Sequence, residues 1–187
     1  MASMSPSSCR RGQDGEKEMK QRMKSLIIYD SIYGNTEKIA KAIGDGLTGE
    51  VKVVRVSDVN PSELKTFDLL ILGSPVHGGR PTPALDEFVK KLPAHSLTGM
   101  RVAAFDTRFE SEDQGIGLRL LMSVIRYAAQ RIAKDVVKKG GRLVAEPEGF
   151  IVENKEGPLK QGELERATTW AKGVSGGQQQ GEAAAQA

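Results

Sequence analysis

The sequence predicts a three-layer α/β fold: a doubly wound sheet of five parallel strands with helices on both faces. Three observations predict it. Apolar runs alternate with segments of helical period in the order βαβ(loop)βαβαβα. The runs are nearly continuous in apolar residues, as strands buried on both faces are. Glycines and prolines fall at the ends of the segments, where helices stop and turns begin.

Residues 24–30, reading Lys-Ser-Leu-Ile-Ile-Tyr-Asp, form the first strand. A helix over 35–47 places Ile39, Ala42, Ile43 and Leu47 on one face, with Gly46 and Gly49 as stops. Residues 51–56 carry Val51, Val53 and Val56 as a second strand, and 67–73 form the third. A short helix over 82–92 starts near Pro81 and Pro83. Residues 100–105 are the fourth strand. The longest helical stretch, 117–139, is ended by Gly140 and Gly141. Residues 142–152 hold the fifth strand, interrupted around Pro147, and 159–172 form the last helix.

Composition bounds the function. Of 187 residues, 39% are apolar and 27% charged, a globular mix with no apolar run long enough to span a membrane. One cysteine, Cys9, excludes a disulfide scaffold and a cysteine zinc site, and two histidines, His77 and His95, argue against a histidine-only metal site. The net charge of +3 is confined to one end. Residues 1–24 hold six Lys/Arg against three Asp/Glu, whereas residues 25–187 hold 21 of each. No basic face for nucleic acid is therefore expected. Residues 1–23 lack apolar periodicity and read as a disordered tail, or as an upstream start with Met19 or Met23 as the natural one. Residues 174–187 are low in complexity and also read as disordered, leaving 24–173 as the folded domain. Low cysteine use and no export signal point to the cytoplasm.

In open sheets of this class ligands sit beyond the carboxyl ends of the strands, at the switch point between strands 1 and 3 when the order is 2-1-3-4-5. The loops after strands 1, 3 and 4 are thus the candidate site. After strand 1, Ser31, Ile32, Tyr33, Gly34, Asn35 and Thr36 lead into a helix N-terminus, which offers free N–H groups and a partial positive charge to an anion. Ser31, Asn35 and Thr36 add neutral donors. No Lys or Arg lies in the loop and no Walker Gly-Lys-Ser/Thr is present, which suits a terminal phosphate monoester. Ser, Asn and Thr are equally ordinary helix caps.

The spacing Ser31-x-Tyr33-Gly34-x-Thr36 after an apolar strand resembles the phosphate loop of the flavodoxin family, usually Ser/Thr-x-Thr-Gly-x-Thr. Tyr33 in the middle position resembles the flavodoxin-like quinone reductases. Ser74, Pro75, Val76, His77, Gly78 and Gly79 stand where the family's second flavin loop belongs, and Asp106, Thr107, Arg108 and Phe109, with Gly115 beyond them, where its third belongs. The resemblance covers about residues 24–172 and implies the order 2-1-3-4-5 with flavin mononucleotide (FMN) as cofactor. It implies that the second loop touches the flavin N5 edge, with His77 where many members carry an aromatic ring. It further implies that the backbone of the third loop meets the pyrimidine edge. Phe109 is the candidate stacking ring, or else a residue folded into the core; Asp106 serves the site or bonds the loop backbone. Arg108 and Arg80, if near the flavin, would favour its reduced anion and make that couple less negative than in acidic relatives. Glu110, Glu112 and Asp113 are the countervailing charges.

The resemblance implies an electron carrier working with a redox partner protein or a small donor or acceptor. The spans after strand 4, about 106–115, and after strand 5, 153–158, are short. They lack the insertions of quinone reductases and long-chain flavodoxins. An FMN-dependent NAD(P)H:quinone reductase is the alternative reading, and a flavin-free adaptor of the same fold is the second. Flavodoxin-like protoporphyrinogen oxidases are further relatives, whose substrate nothing here selects. A phospho-receiver domain fits poorly, since it needs an acidic pair, an aspartate and a lysine where this chain has Asp30, Ser74 and Glu148. No nucleophile elbow is present, because Ser74 is not in Gly-x-Ser-x-Gly.

Overall fold

The computed structural model describes residues 23–109 and 128–176. Its elements run β1 (Lys24–Tyr29), α1 (Asn35–Gly46), β2 (Glu50–Arg55), β3 (Leu69–Pro75), α2 (Pro83–Lys91), β4 (Arg101–Phe109), α3 (Ala128–Lys138), β5 (Arg142–Leu143), β6 (Glu148–Val152) and α4 (Glu163–Gly176). Two 3₁₀ turns, Val56–Asp58 and Pro61–Thr66, connect β2 to β3. Gly115, most of both expected tails and the first part of the helix expected over 117–139 lie outside the described residues.

Among the described residues every ladder between the named strands is parallel, and the order is β2-β1-β3-β4-β5, with β6 also on β4. The predicted 2-1-3-4-5 sheet is therefore present. Side-chain alternation explains the unbroken apolar runs. Leu26 and Ile28, Leu70 and Leu72, Val102 and Ala104 face α2 and α3. Ile27 and Tyr29, Leu69 and Ile71, Ala103 and Phe105 face α1 and α4. β2 is an edge strand, and its Lys52 pairs with Glu63 at 2.7 Å on the exposed side.

The fifth strand is interrupted where Pro147 predicts. Four residues separate β5 from β6, whereas two separate their partners Val102 and Phe105 on β4, so the interrupted strand carries two extra residues here. The last helix starts at Glu163 rather than 159. Lys160 still donates its N–H to Ile151 O (2.9 Å), and Leu159 bridges Val152, so these residues remain extended beside β6. The helix passes the expected boundary at 173 and reaches Gly176. Val174 is buried in the α1-side core, and its carbonyl accepts from Arg101 Nη2 at 2.5 Å.

Candidate functional site

A cleft of about 440 Å³ opens at the carboxyl ends of β1, β3 and β4, within the range that holds small ligands. Ile32, Tyr33, Asn35 and Thr36 line it from the first loop, Pro75, Val76, His77 and Gly78 from the second, and Thr107 and Phe109 from β4. A larger hollow of about 800 Å³ lies at the opposite pole, near Lys65, His95, Arg101 and Arg142. The carboxyl-end cleft is the better site because it stands at the switch point, where β1 passes from β2 on one side to β3 on the other.

The first loop is built around an uncapped helix. Gly34 is the N-cap of α1 at φ 84°, in the left-handed region that favours glycine, and no side chain caps the helix N–H groups. A Cβ on Gly34 would meet nothing within 4 Å, so the backbone angle and not crowding selects glycine. Ser31 does not line the cleft: its buried hydroxyl accepts the Gly34 N–H at 3.0 Å and holds the curl. Arg55 Nη2 donates to Ser31 O (2.7 Å), bracing the loop from outside. Thr36 Oγ1 and Thr107 Oγ1 lie 2.7 Å apart and tie the first loop to β4.

The second loop is a two-residue turn. His77 N–H donates to Arg80 O (2.9 Å), and Arg80 N–H donates back to His77 O (3.1 Å). Gly78 and Gly79 between them both have positive φ, at 57° and 75°, the requirement of a type I′ hairpin. Gly78 lines the cleft; Gly79 and the exposed Arg80 do not. Ser74 is buried, and its Oγ accepts the Thr82 N–H at 2.9 Å, which fastens the entry to α2.

The expected third loop proves to be strand. β4 continues to Phe109 instead of ending at 105, so pleating sorts its last four side chains between two faces. Thr107 and the half-exposed Phe109 point to the α1 side and line the cleft. Phe109 is thus not folded into the core. Asp106 and Arg108 point to the α3 side, away from it. The buried Asp106 carboxylate accepts from Arg108 Nε (2.7 Å) and from Ala129 N (2.9 Å). The guanidinium of Arg108 lies over Gly149, where a Cβ would strike it.

Burial pushes the Asp106 carboxyl above its ordinary 3.8, and Arg108 and the Ala129 N–H oppose that push. A carboxyl raised in the folded state favours folding most below its unfolded value, and that contribution fades as pH rises through the folded value. The stability of the wild type relative to Asp106→Asn is therefore expected to fall between pH 4 and pH 7. Urea midpoints at the two pH values check this, and a constant difference would refute it.

Two lining residues escaped the sequence reading: Val152 at the end of β6 and Lys155 just beyond. They stand at the carboxyl end of the last strand, where the rule used for the other loops would have found them. This loop is docked on the first: Asn35 Nδ2 donates to Glu156 O at 2.8 Å.

The family described as "Flavodoxin domain" matches residues 26–141. The uncharacterized protein MJ0298 of Methanocaldococcus jannaschii is 35% identical over 86 residues, 46% of this chain and 54% of that protein. A flavodoxin of Clostridium beijerinckii is 36% identical over 84 residues, 42% of this chain and 60% of that protein. The chain thus spans little more than half the length of these curated relatives. Among solved structures, a flavodoxin from the domain Archaea superposes with a TM-score of 0.65 at 22% identity, covering 82% of this chain and 96% of that one. Flavodoxin 2 from Bacillus cereus gives 0.64 at 24% identity, with 81% and 97% covered. At such identities these two structures share the fold.

Proposed function

Since the chain belongs to the flavodoxin family, we propose that it binds FMN in the carboxyl-end cleft and carries electrons between redox partners. One observation carries the reading: the uncapped N-terminus of α1, curled by Gly34, opens onto the same cleft as Thr107, Phe109 and the Pro75–Gly78 turn. The residues present fit the group. Free helix N–H groups and the Thr36 hydroxyl suit a phosphate monoester. Tyr33, Val76, Phe109 and the small turn residues suit a flat ring.

Bound FMN would supply the redox chemistry, and the protein would bind, orient and shield it. Ser31 and Gly34 shape the phosphate cradle. Gly78, which lines the cleft without a side chain, would let its backbone meet the edge of a bound ring. Ile32, Tyr33 and Phe109 are each about half exposed, at 53%, 48% and 50%, and form an apolar rim around the cleft mouth, which supports docking of a redox partner there. The single cysteine is in keeping with a reducing compartment, and the cytoplasm is the location proposed. Among the described residues no helix is long and apolar enough to cross a membrane.

Purified protein mixed with FMN and dialysed should stay yellow; colourless protein would refute the reading. Thr36→Val should weaken FMN binding about tenfold, because it removes a donor and strands the Thr107 hydroxyl. Anaerobic mixing with NADH and NADPH separates carrier from enzyme. Slow reduction supports a carrier, whereas rapid turnover with quinone would establish the reductase alternative.

A further inference from the structure

We propose that Lys155 is a specificity-determining residue whose ammonium pairs with the phosphate of bound FMN, so that this chain, on the reading of the cleft given above, selects the phosphorylated flavin by charge as well as by neutral donors. The first loop, residues 31–36, contains no Lys or Arg. Three arginines of the neighbourhood do not serve it. Arg108 is on the opposite face of the sheet against Asp106. Arg55 is engaged outside the loop with Ser31 O and, at 3.3 Å, with Asp30. Arg80 stands outside the lining of the cleft.

Lys155 is the one Lys, Arg, Asp or Glu among the residues lining this cleft in the described part of the chain, and it shares the lining with Asn35 and Thr36 at the start of α1. It is exposed, and no ion pair among the described residues uses it. Its backbone is held in place. Glu153 N–H donates to Pro158 O (2.9 Å), and Gly157 N–H donates to Asn154 O (3.2 Å). Glu156 N–H donates to Asn154 Oδ1 (3.1 Å), and Glu156 O accepts from Asn35. The last bond seats the loop directly on the residue that opens α1. Glu153 and Glu156 flank Lys155 in sequence but do not line the cleft.

A phosphate monoester carries close to two negative charges at neutral pH, more than a helix end's half charge offsets. A lysine in reach stabilises the remainder. Its exposure limits the gain to that of a surface pair and makes it sensitive to salt.

The test titrates apoprotein with FMN and with riboflavin, which lacks the phosphate, at low salt and at 1 M salt. Lys155→Met should weaken FMN binding about fivefold at low salt, leave riboflavin binding unchanged, and show a smaller defect at high salt. Lys155→Arg should restore the wild-type preference. Unchanged FMN binding in Lys155→Met, or equal loss of both flavins, would overturn this inference alone. Wild-type protein that binds neither flavin would overturn the reading of the cleft and this inference together.

Discussion

Replacing Gly73 with alanine is expected to destabilise the protein by about 3 kcal/mol. Gly73 and Phe105 are register partners on neighbouring strands, and the Phe105 ring lies across the glycine. A Cβ at Gly73 would sit 2.0 Å from Phe105 Cζ and 2.3 Å and 2.5 Å from the two ring carbons beside it. The ring has nowhere to move. It is wholly buried, meets Phe150 edge-on at 6.1 Å between centroids, and Phe150 in turn meets Trp170 at 6.3 Å. Relief must then come from the strand or from the whole aromatic row, and close-packed interiors yield to neither cheaply. Phe105→Leu removes the atoms that clash, so the double variant should be more stable than the sum of the two single losses implies. Urea unfolding of the four proteins completes the cycle. Additive losses would show that the ring and the glycine are not coupled.

Replacing Gly34 with valine is expected to cost about a hundredfold in FMN affinity while leaving the fold intact. At φ 84° a β-branched residue is a steric outlier, at a cost of about 1–3 kcal/mol. The backbone can escape by leaving the left-handed region, and nothing within 4 Å of the new Cβ prevents it. That escape turns the Asn35 and Thr36 N–H groups away from the cleft and breaks the bond from Gly34 N–H to Ser31 Oγ. Binding is lost because the donors are moved, not because the cleft is filled. Gly34→Asn should keep most of the affinity, since asparagine tolerates this conformation. Quenching of FMN fluorescence on titration measures each variant, and circular dichroism confirms the fold. Full affinity in Gly34→Val would remove the helix N-terminus from the site.

The phosphate-loop candidates were legible because their chemistry is local. A loop that passes straight from an apolar strand into a helix brings Ser31, Gly34 and Thr36 together within six residues. Division of labour inside the loop was not legible. Ser31 and Ser74 present the right hydroxyls, yet both spend them on backbone N–H groups within the protein. The third segment was misread for a definite reason. Residues 106–109, Asp-Thr-Arg-Phe, lack the apolar continuity of a buried strand, so the sequence pattern ends the strand at Phe105. The ladder to β6 carries it on to Phe109, and this extension turns Arg108 away from the cleft. Lys155 was overlooked because its neighbours Glu153 and Glu156 make the segment look like an ordinary solvated turn.

The amino-acid sequence by itself determined the layering and the three places where the chain turns at the carboxyl end of the sheet, and its resemblance to the flavodoxin family supplied the strand order. Apolar period, glycine and proline positions and handed crossovers act over short stretches and leave few alternatives. Tertiary structure alone decided which side chains at those turns reach the common cleft. Cross-strand pairing between β4 and β6 assigned Thr107 and Phe109 to one face and Asp106 and Arg108 to the other, and a single hydrogen bond from Asn35 to Glu156 brought in Lys155 from 120 positions further along. A one-residue step along a strand reverses the direction of a side chain, and whether strand continues that far depends on a partner remote in sequence.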